Sequence, residues 1–328
     1  LMPVQLDADG GALLKHKIEE LGVQVHTEKA TTEIVEGEEA RLRMNFSDDT
    51  HLETDLIVFS AGIRPQDALA RSSELAMGER GGIVINDQCT TSDPHIHAIG
   101  ECALWSEKIF GLVAPGYTMA RTLASVLNGD REAAFTGADM STKLKLLGVD
   151  VGSIGDAHAQ TPGARNIRFN DEQAGHYRRM VISADGKTLL GAILVGDNSH
   201  YDTLLQYALN GIELPANPEA LILPESEGGA PALGADALPD SASICSCHNV
   251  TKGDICGVID AGCTDLAGVK AETKASTGCG GCAALLKNVV DSELEKRGVE
   301  VSKDICEHFP YSRQDLFNIV KVNGIRTF

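Results

Sequence analysis

Four cysteines in the last third of the chain have the spacing of a metal or cluster site. They form two close pairs, Cys245 with Cys247 and Cys279 with Cys282, and 31 residues separate the pairs. Four thiolates in two pairs suit a tetrahedral sulfur site, which holds either a [2Fe–2S] cluster or a structural zinc ion. A disulfide or a redox-active dithiol is a third possibility for these residues.

The residues around the second pair favour the cluster. Gly278, Gly280 and Gly281 let the backbone wrap closely around a ligand, with N–H groups left to face sulfur. The run from Ala283 predicts a helix whose positive end points at the same place. Such a site stabilises added negative charge, which an electron-accepting cluster needs and zinc does not. His248 is interpreted as a neighbour of the site, because Rieske-type ligation would need His inside each pair.

The sequence around the cysteines carries a family resemblance. The run I-C-S-C-H-N-V-T-K-G-D-I, followed by K-A-S-T-G-C-G-G-C, resembles the bacterioferritin-associated-ferredoxin-like (BFD-like) [2Fe–2S] module. The longer form K-A-E-T-K-A-S-T-G-C-G-G-C is similar to the module in the large subunits of bacterial NAD(P)H-dependent nitrite reductases. The resemblance implies that the four cysteines hold a [2Fe–2S] cluster.

Two segments nearer the N-terminus predict strands that end at a glycine. The apolar run Asp55–Ser60 predicts a buried parallel strand before Gly62, and Ile96–Ile99 predicts a short strand before Gly100 and Glu101. A glycine at a strand end lets the backbone approach a ligand, and a carboxylate can accept from its hydroxyl groups. The usual G-x-G-x-x-G dinucleotide fingerprint is absent from the sequence.

A helix predicted over 115–127 opens with Pro115 and Gly116. Its first turn would present N–H groups and partial positive charge to an anionic ligand edge. Pro115 also has a purely structural interpretation, since proline is a good first-turn residue.

In this order the three segments resemble the second half of two-dinucleotide-binding flavoprotein reductases. The resemblance implies FAD and NAD(P)H as cofactors, and it assigns no catalytic residue. It places Gly62, Gly100, Glu101, Pro115 and Gly116 among the cofactor-binding residues. The family usually has Asp where this chain has Glu101.

The predicted fold class is α/β, a partial flavoprotein reductase, followed by a small α+β domain and a small helical BFD-like module. The predicted divisions are a partial reductase domain over 1–140, an α+β domain over 141–223, a linker over 224–243, a [2Fe–2S] module over 244–300 and a truncated second module over 301–328. Asp9 is predicted to cap the first helix.

The second module is predicted from an internal repeat. A shift of 61 residues places Cys245 over Cys306, Asp254 over Asp315 and Cys247 over His308. Only one of four ligands recurs, so we expect this copy to hold no cluster.

Composition excludes several classes of function. The net charge of −19 and the aromatic content of 4% argue against nucleic acid or an anionic membrane as partners. No apolar run reaches membrane-spanning length. Nine cysteines fit a reducing cytoplasm. The five outside the two pairs are interpreted as small buried apolar residues: Cys89, Cys102, Cys256, Cys263 and Cys306.

The start at Leu1 and the missing motifs predict an internal segment of a longer protein. The resemblance implies an electron-transfer segment that passes electrons from NAD(P)H via FAD to the cluster. Sirohaem and [4Fe–4S] centres for nitrite would lie elsewhere in the polypeptide, and a small nitrite reductase subunit is a possible partner. The alternatives are the electron-transfer subunit of an assimilatory nitrate reductase and a zinc-stabilised interaction scaffold.

Overall fold

The chain forms two compact units, Leu1–Ala232 and Leu233–Phe328. The computed structural model describes residues 1–224, 235, 238–278, 280–299, 301, 304–306 and 309–325, with the backbone alone at 304–306 and 309–310. Among these described residues, no helix is long and apolar enough to span a membrane.

The first unit holds three sheets and four α-helices among its described residues. The helices are α1 Ala8–Glu20, α2 Ala68–Ser72, α3 Val113–Leu127 and α4 Tyr201–Asn210. The strands are β1 Thr31–Glu36, β2 Leu42–Phe46, β3 His51–Thr54, β4 Ile83–Ile85, β5 Ala103–Trp105, β6 Thr142–Leu146, β7 Val149–Gly155, β8 Arg165–Asp171, β9 His176–Ile182 and β10 Leu189–Val195. β1-β2-β3 form one antiparallel sheet, β6-β7-β10-β9-β8 form a second, and β4 pairs with β5 in parallel.

Helix α1 packs on the five-stranded sheet. Its residues Leu14 and Ile18 are buried against apolar side chains of β7, β9 and β10. The cap of α1 is Asp7, which accepts from the Gly10 N–H at 3.0 Å, so the predicted cap Asp9 is wrong. Asp9 lies in the first turn instead, where an acid still interacts favourably with the helix dipole.

The predicted strand Asp55–Ser60 is wrong. Residues 55–60 have no regular structure, and the side chains of Leu56, Val58 and Phe59 are about three-quarters exposed, at 75%, 79% and 74%. An apolar run becomes a buried parallel strand only between neighbouring strands. None of the described strands pairs with residues 55–60. The parallel pair of this unit is β4 with β5.

The predicted strand Ile96–Ile99 is also wrong. Its residues lie in a loop that makes an isolated bridge between Thr90 and His97, and the strand follows later, at Ala103–Trp105. A single 3-10 turn, Gly100–Cys102, separates the two. Helix α3 begins at Val113, two residues before the predicted start. It buries Met119 fully in the apolar core around β4 and β5.

The second unit is a small helical bundle behind a β-hairpin. Its elements are β11 Ser243–Cys245, β12 Val250–Thr251, α5 Lys252–Asp260, α6 Leu266–Thr273, α7 Ala283–Lys296, β13 Asp304–Cys306, β14 Phe309–Ser312 and α8 Arg313–Val322. Helices α5, α6 and α7 contact one another around Ile255, Val269 and Leu286, which are fully buried. Helix α7 also contacts β11, so the bundle supports the hairpin.

A buried ion pair joins α5 to α7. Lys252 and Glu293 are 4% and 5% exposed, and Lys252 Nζ lies 3.5 Å from Glu293 Oε1. Lys252 also donates to the Leu238 carbonyl at 2.9 Å. Lys296 and Arg297 each lie 2.7 Å from a Glu293 oxygen, so the buried carboxylate has several cationic partners.

The hairpin and capped helix occur twice, 61 residues apart. Ser243 pairs with Thr251 in the first hairpin, and Asp304 pairs with Ser312 in the second. Each helix then begins with a capping box, formed by Thr251 with Asp254 before α5 and by Ser312 with Asp315 before α8. His308 lies outside the described residues.

Candidate functional site

The first cysteine pair lies on the β11–β12 hairpin. Cys245 is the last residue of β11, and Cys247 lies in the turn that leads to β12. Both side chains are buried, at 2% and 5% exposure. The tight hairpin directs two thiols into the interior of the unit within three residues.

The second pair lies at the start of α7. Cys282 is the residue that precedes the helix, and its carbonyl accepts from the Leu286 N–H at 2.8 Å. The positive end of the helix dipole is therefore at this cysteine. Cys279, the other predicted ligand, lies outside the described residues.

One cysteine from each pair makes a direct contact. The Cys282 thiol donates a hydrogen bond to the Cys245 sulfur. That bond, together with N–H donors from Ser276 and His248, outweighs burial and lowers the pKa of Cys245 to about 5. The two N–H groups come from different loops, so both loops stabilise the same thiolate.

Gly278 brings the second loop against Cys247. A Cβ at position 278 would lie 3.3 Å from His248 Nε2, 3.5 Å from Cys247 Cβ and 3.8 Å from Cys247 Sγ. The first distance is tighter than most contacts of a Cβ atom, so a side chain at this position would require the His248 ring to shift by a few tenths of an ångström.

These residues fit a thiolate-ligated centre. The lowered pKa of Cys245 favours its thiolate form, backbone N–H groups point at its sulfur, and Cys282 is in contact with it. The described residues alone contain no group of three or more His, Cys, Asp or Glu side chains that could hold a metal ion. The four-cysteine set, which includes Cys279, remains a prediction.

The other described cysteines differ from the interpretation as small buried residues in three of four cases. Cys89 is fully buried, whereas Cys102, Cys256 and Cys263 are half-buried. The Cys102 thiol donates to the Ile99 carbonyl at 3.4 Å, and the Cys263 thiol donates to the Asp265 carbonyl at 3.5 Å. The side chain of Cys306 falls outside the description.

Three of the residues proposed for flavin lie together. A Cβ on Gly116 would lie 3.3 Å from the Cα of Gly100, so the first turn of α3 touches the Gly100–Cys102 turn. Gly100 has φ +77°, and its N–H donates to Met119 Sδ at 3.3 Å. Pro115, third in the helix, is buried beside them.

The remaining two occupy different surroundings. The side chain of Glu101 is exposed next to Gly100, where a ligand hydroxyl could reach it. Gly62 lies in the exposed irregular stretch, and a Cβ there would meet no heavy atom within 4 Å. Its φ of +80° is a conformation that favours glycine, which accounts for the residue without a ligand.

Sequence reasoning missed the groups that connect the loops. Ser276 and His248 supply backbone donors, and the His248 ring bonds to Thr277 Oγ1 at 3.3 Å. The signal available was the position of His248 beside Cys247 and of Thr277 beside the Gly278–Cys279 step.

Three protein-family models match the chain. Residues 1–129 match the pyridine nucleotide-disulphide oxidoreductase family, and residues 141–212 match the rubredoxin NAD+ reductase C-terminal domain. Residues 243–292 match the BFD-like [2Fe–2S] binding domain, so this match contains all four predicted ligands.

Known proteins resemble the chain over its full length. It is 61% identical to the nitrite reductase [NAD(P)H] large subunit of Klebsiella oxytoca, over 100% of this chain and 34% of that protein. It is 35% identical to the assimilatory nitrate reductase electron transfer subunit of Bacillus subtilis, over 94% of this chain and 39% of that protein. The chain thus spans about a third of the length of the nitrite reductase large subunit that it matches.

A solved structure shows the same fold. The NAD-dependent persulfide reductase from A. fulgidus superposes with a TM-score of 0.55 at 22% identity, over 71% of this chain and 46% of that chain. At this identity the likeness concerns the fold alone, and it agrees with the predicted flavoprotein-reductase class.

Proposed function

We propose, from its 61% identity over its full length to a nitrite reductase [NAD(P)H] large subunit, that the chain is the electron-transfer segment of an NAD(P)H-dependent nitrite reductase. Electrons from NAD(P)H would pass via FAD and a [2Fe–2S] cluster to a sirohaem centre outside residues 1–328, where nitrite is reduced to ammonia. The observation that carries the proposal is the contact between the buried Cys245 and the half-buried Cys282, within the segment that matches a [2Fe–2S] domain.

The proposed ligands are Cys245, Cys247, Cys279 and Cys282. A bound [2Fe–2S] cluster transfers electrons one at a time. It would therefore link a two-electron donor such as NAD(P)H to a one-electron centre. The residues of this chain supply the thiolates, exclude water by burial and direct the Ser276 and His248 N–H groups at sulfur. Such N–H bonds stabilise negative charge at the site, and they raise the reduction potential of a cluster.

The proposed flavin contacts are Gly100, Glu101, Pro115 and Gly116, and Gly62 is retained as a nicotinamide-side candidate. Close approach of α3 to the Gly100 turn supports the first four, because glycines at both positions keep that surface free of side chains. The N-terminus of α3 adds partial positive charge there. Glu101 would accept from a hydroxyl group of the cofactor.

The domain division is likewise a proposal. It consists of a partial reductase domain over 1–140, an α+β domain over 141–223, a linker over 224–243, a module over 244–300 and a second module over 301–328. The order of the three family matches supports it.

The proposed partners are the remainder of the polypeptide and a small nitrite reductase subunit, and the proposed location is the cytoplasm.

The experiment uses the full-length protein with Cys245→Ser and Cys282→Ser. We expect both variants to lose nitrite reduction by NAD(P)H, because the centre no longer assembles, while NAD(P)H oxidation by an artificial two-electron acceptor persists. Cys256→Ser, on a neighbouring helix and outside the ligand set, serves as the matched control. Undiminished nitrite reduction in Cys282→Ser, or a wild-type protein that contains zinc and no iron, would refute the proposal.

A second candidate is the electron-transfer subunit of an assimilatory nitrate reductase, which the match to the Bacillus subtilis protein favours. The same cofactors would serve a different terminal acceptor. Steady-state assays with nitrite and with nitrate as the sole acceptor for the full-length protein separate the two candidates.

A further inference from the structure

A side-chain hydrogen bond connects the two cysteine loops. His248 Nε2 and Thr277 Oγ1 lie 3.3 Å apart. His248 directly follows Cys247, and Thr277 is two residues before Cys279. The bond therefore joins the flank of one cysteine pair to the flank of the other, although 28 residues separate its two members in sequence.

The direction of this bond follows from the other partner of Thr277. The Thr277 hydroxyl donates to the Lys274 carbonyl at 2.7 Å. A hydroxyl has a single proton, so its oxygen accepts from the His248 ring. The ring consequently carries a proton on Nε2. Lys274 ends α6 in a left-handed conformation, with φ +63°, so the far end of this chain of bonds is anchored on a helix.

The same two loops supply the donors to Cys245. Its sulfur accepts from the backbone N–H of His248 in its own loop and from that of Ser276 in the other loop. Ser276 lies between Lys274 and Thr277, so the side-chain bond restrains the backbone that presents this donor. Gly278 permits the close approach, because its missing Cβ leaves room for the His248 ring.

We propose that His248 is a positioning residue whose ring fastens the first cysteine loop to the second through Thr277 and thereby keeps the metal centre in place. The inference rests on the proposed function, since it assumes a centre held by these cysteines. Without the His248–Thr277 bond, the loop 274–278 can move away from Cys245. The Cys245 sulfur then loses the Ser276 N–H donor, and the two cysteine pairs move apart. Groups behind metal ligands commonly change metal affinity by about tenfold to a hundredfold.

The test follows the loss of the [2Fe–2S] centre from the full-length protein, purified without oxygen, through the decay of that centre's own electron paramagnetic resonance signal during exposure to a ferrous chelator under reducing conditions. We expect His248→Ala and Thr277→Ala each to speed this loss about tenfold. The double variant should lose the centre no faster than either single variant, because all three lose the same bond. Thr277→Ser retains the hydroxyl, and we expect it to restore slow loss.

The chain offers a matched control. Thr90 Oγ1 and His97 Nδ1 also lie 3.3 Å apart, in the first unit. Thr90→Ala removes a Thr–His pair of the same length, so it should leave the rate of loss unchanged. The electron paramagnetic resonance line shape of the reduced centre gives a second readout, which should change in His248→Ala and be restored in Thr277→Ser.

Loss of the centre from His248→Ala at the wild-type rate would overturn the inference, as would rates that multiply in the double variant. A variant isolated without the [2Fe–2S] centre still decides the matter, since Thr277→Ser must then retain that centre while Thr277→Ala does not. If the wild-type protein contains zinc, the proposed function fails separately, and the same comparison of zinc release decides the role of His248.

Discussion

At the scale of single residues, the chemistry of the site depends on how one sulfur is surrounded. Burial alone would favour a neutral thiol at Cys245, but the Cys282 thiol and two backbone N–H groups reverse that preference. The contrast is Cys256, where burial raises the pKa and no donor of this kind opposes it. Of these two thiols, Cys245 has the environment of a ligand and Cys256 the environment of a packing residue.

Glu101 is the residue whose flavin role is most directly testable. Glu101→Ala in the full-length protein should lower the ratio of flavin to protein, with retention weakened by about 1–3 kcal/mol if its carboxylate accepts a hydroxyl hydrogen bond. The ratio is read from the absorbance of the purified protein, and Glu107→Ala, at another exposed acid of the same region, is the control. Equal flavin content in both variants would remove Glu101 from the proposed site.

Glu293 makes the stability of the second unit depend on pH. Burial alone would raise the pKa of Glu293, but hydrogen bonds from Lys296 and Arg297 and the charges around it lower it to about 2. Because the folded-state pKa lies below the unfolded value of about 4.5, its contribution is fully present above that pH. The contribution is lost as the pH falls toward 2.

Glu293→Gln should therefore lower the free energy of unfolding at pH 7 by about 3 kcal/mol, since it leaves Lys252 buried without a carboxylate. The difference from wild type should shrink between pH 4.5 and pH 2, as followed by denaturant titrations at each pH. Glu272→Gln, at an exposed residue of α6, should change little at any pH. A difference that stays constant down to pH 2 would contradict the assignment.

At the scale of elements, the ends of helices carry much of the specific bonding. The same hairpin and capping box begin α5 and α8, but the two helices differ in what covers them. In α5, Ile255 and Ile259 are buried, whereas Phe317 and Val320 of α8 are 58% and 44% exposed. Local sequence therefore specifies the hairpin and the helix start, and the packing of α6 and α7 buries the apolar face of α5.

The cap of α1 also holds that helix to a sheet. Asp7 accepts from the Gly10 N–H, from the Tyr177 hydroxyl at 2.7 Å and from Arg179 at 2.8 Å. Asp7→Ala removes the cap and leaves Arg179, which is 6% exposed, without its carboxylate. We expect the free energy of unfolding to fall by about 3–5 kcal/mol.

Denaturant unfolding of Asp7→Ala beside Asp9→Ala tests this expectation. Asp9 lies two residues on, is exposed and approaches Arg168 only to 3.9 Å, so its removal should cost less than about 1 kcal/mol. Equal decreases in the free energy of unfolding for Asp7→Ala and Asp9→Ala would show that the bonds from Asp7 to Tyr177 and Arg179 contribute nothing.

At the scale of the whole molecule, the matches divide the chemistry between the two compact units. The first unit contains the pyridine nucleotide-disulphide oxidoreductase match and the proposed flavin residues, and the second contains the [2Fe–2S] match. The net charge of −19 argues against nucleic acid as a partner of this chain.

The number of clusters follows from this organisation. The copy after residue 300 has Cys306 as its only cysteine, so residues 1–328 should bind one [2Fe–2S] cluster per chain. When residues 1–328 alone are reconstituted without oxygen, they should keep their iron and labile sulfide in Cys306→Ser and lose them in Cys282→Ser, because only the latter is a proposed ligand. Loss of half the iron in Cys306→Ser would show that the second copy takes part.

The sequence by itself determined the features that lie within short windows. The cysteine pairs, the glycines of T-G-C-G-G-C, the helix after Cys282 and the 61-residue repeat all depend on neighbouring residues or on their regular spacing. Two close cysteine pairs predict thiolate ligands because a tetrahedral sulfur site needs four thiolates that can converge on one centre. The same local logic predicted α3, with a start displaced by two residues.

Only the tertiary structure decided which distant groups meet. The contact of Cys245 with Cys282, the bond of His248 to Thr277 and the pair of Lys252 with Glu293 each join residues about 30 to 40 positions apart. The apolar run Asp55–Ser60 shows the reverse case, since its pattern predicts a strand that no described neighbour pairs with. A hydrogen bond or a strand pairing needs a partner at a set distance, and no local pattern states where that partner lies.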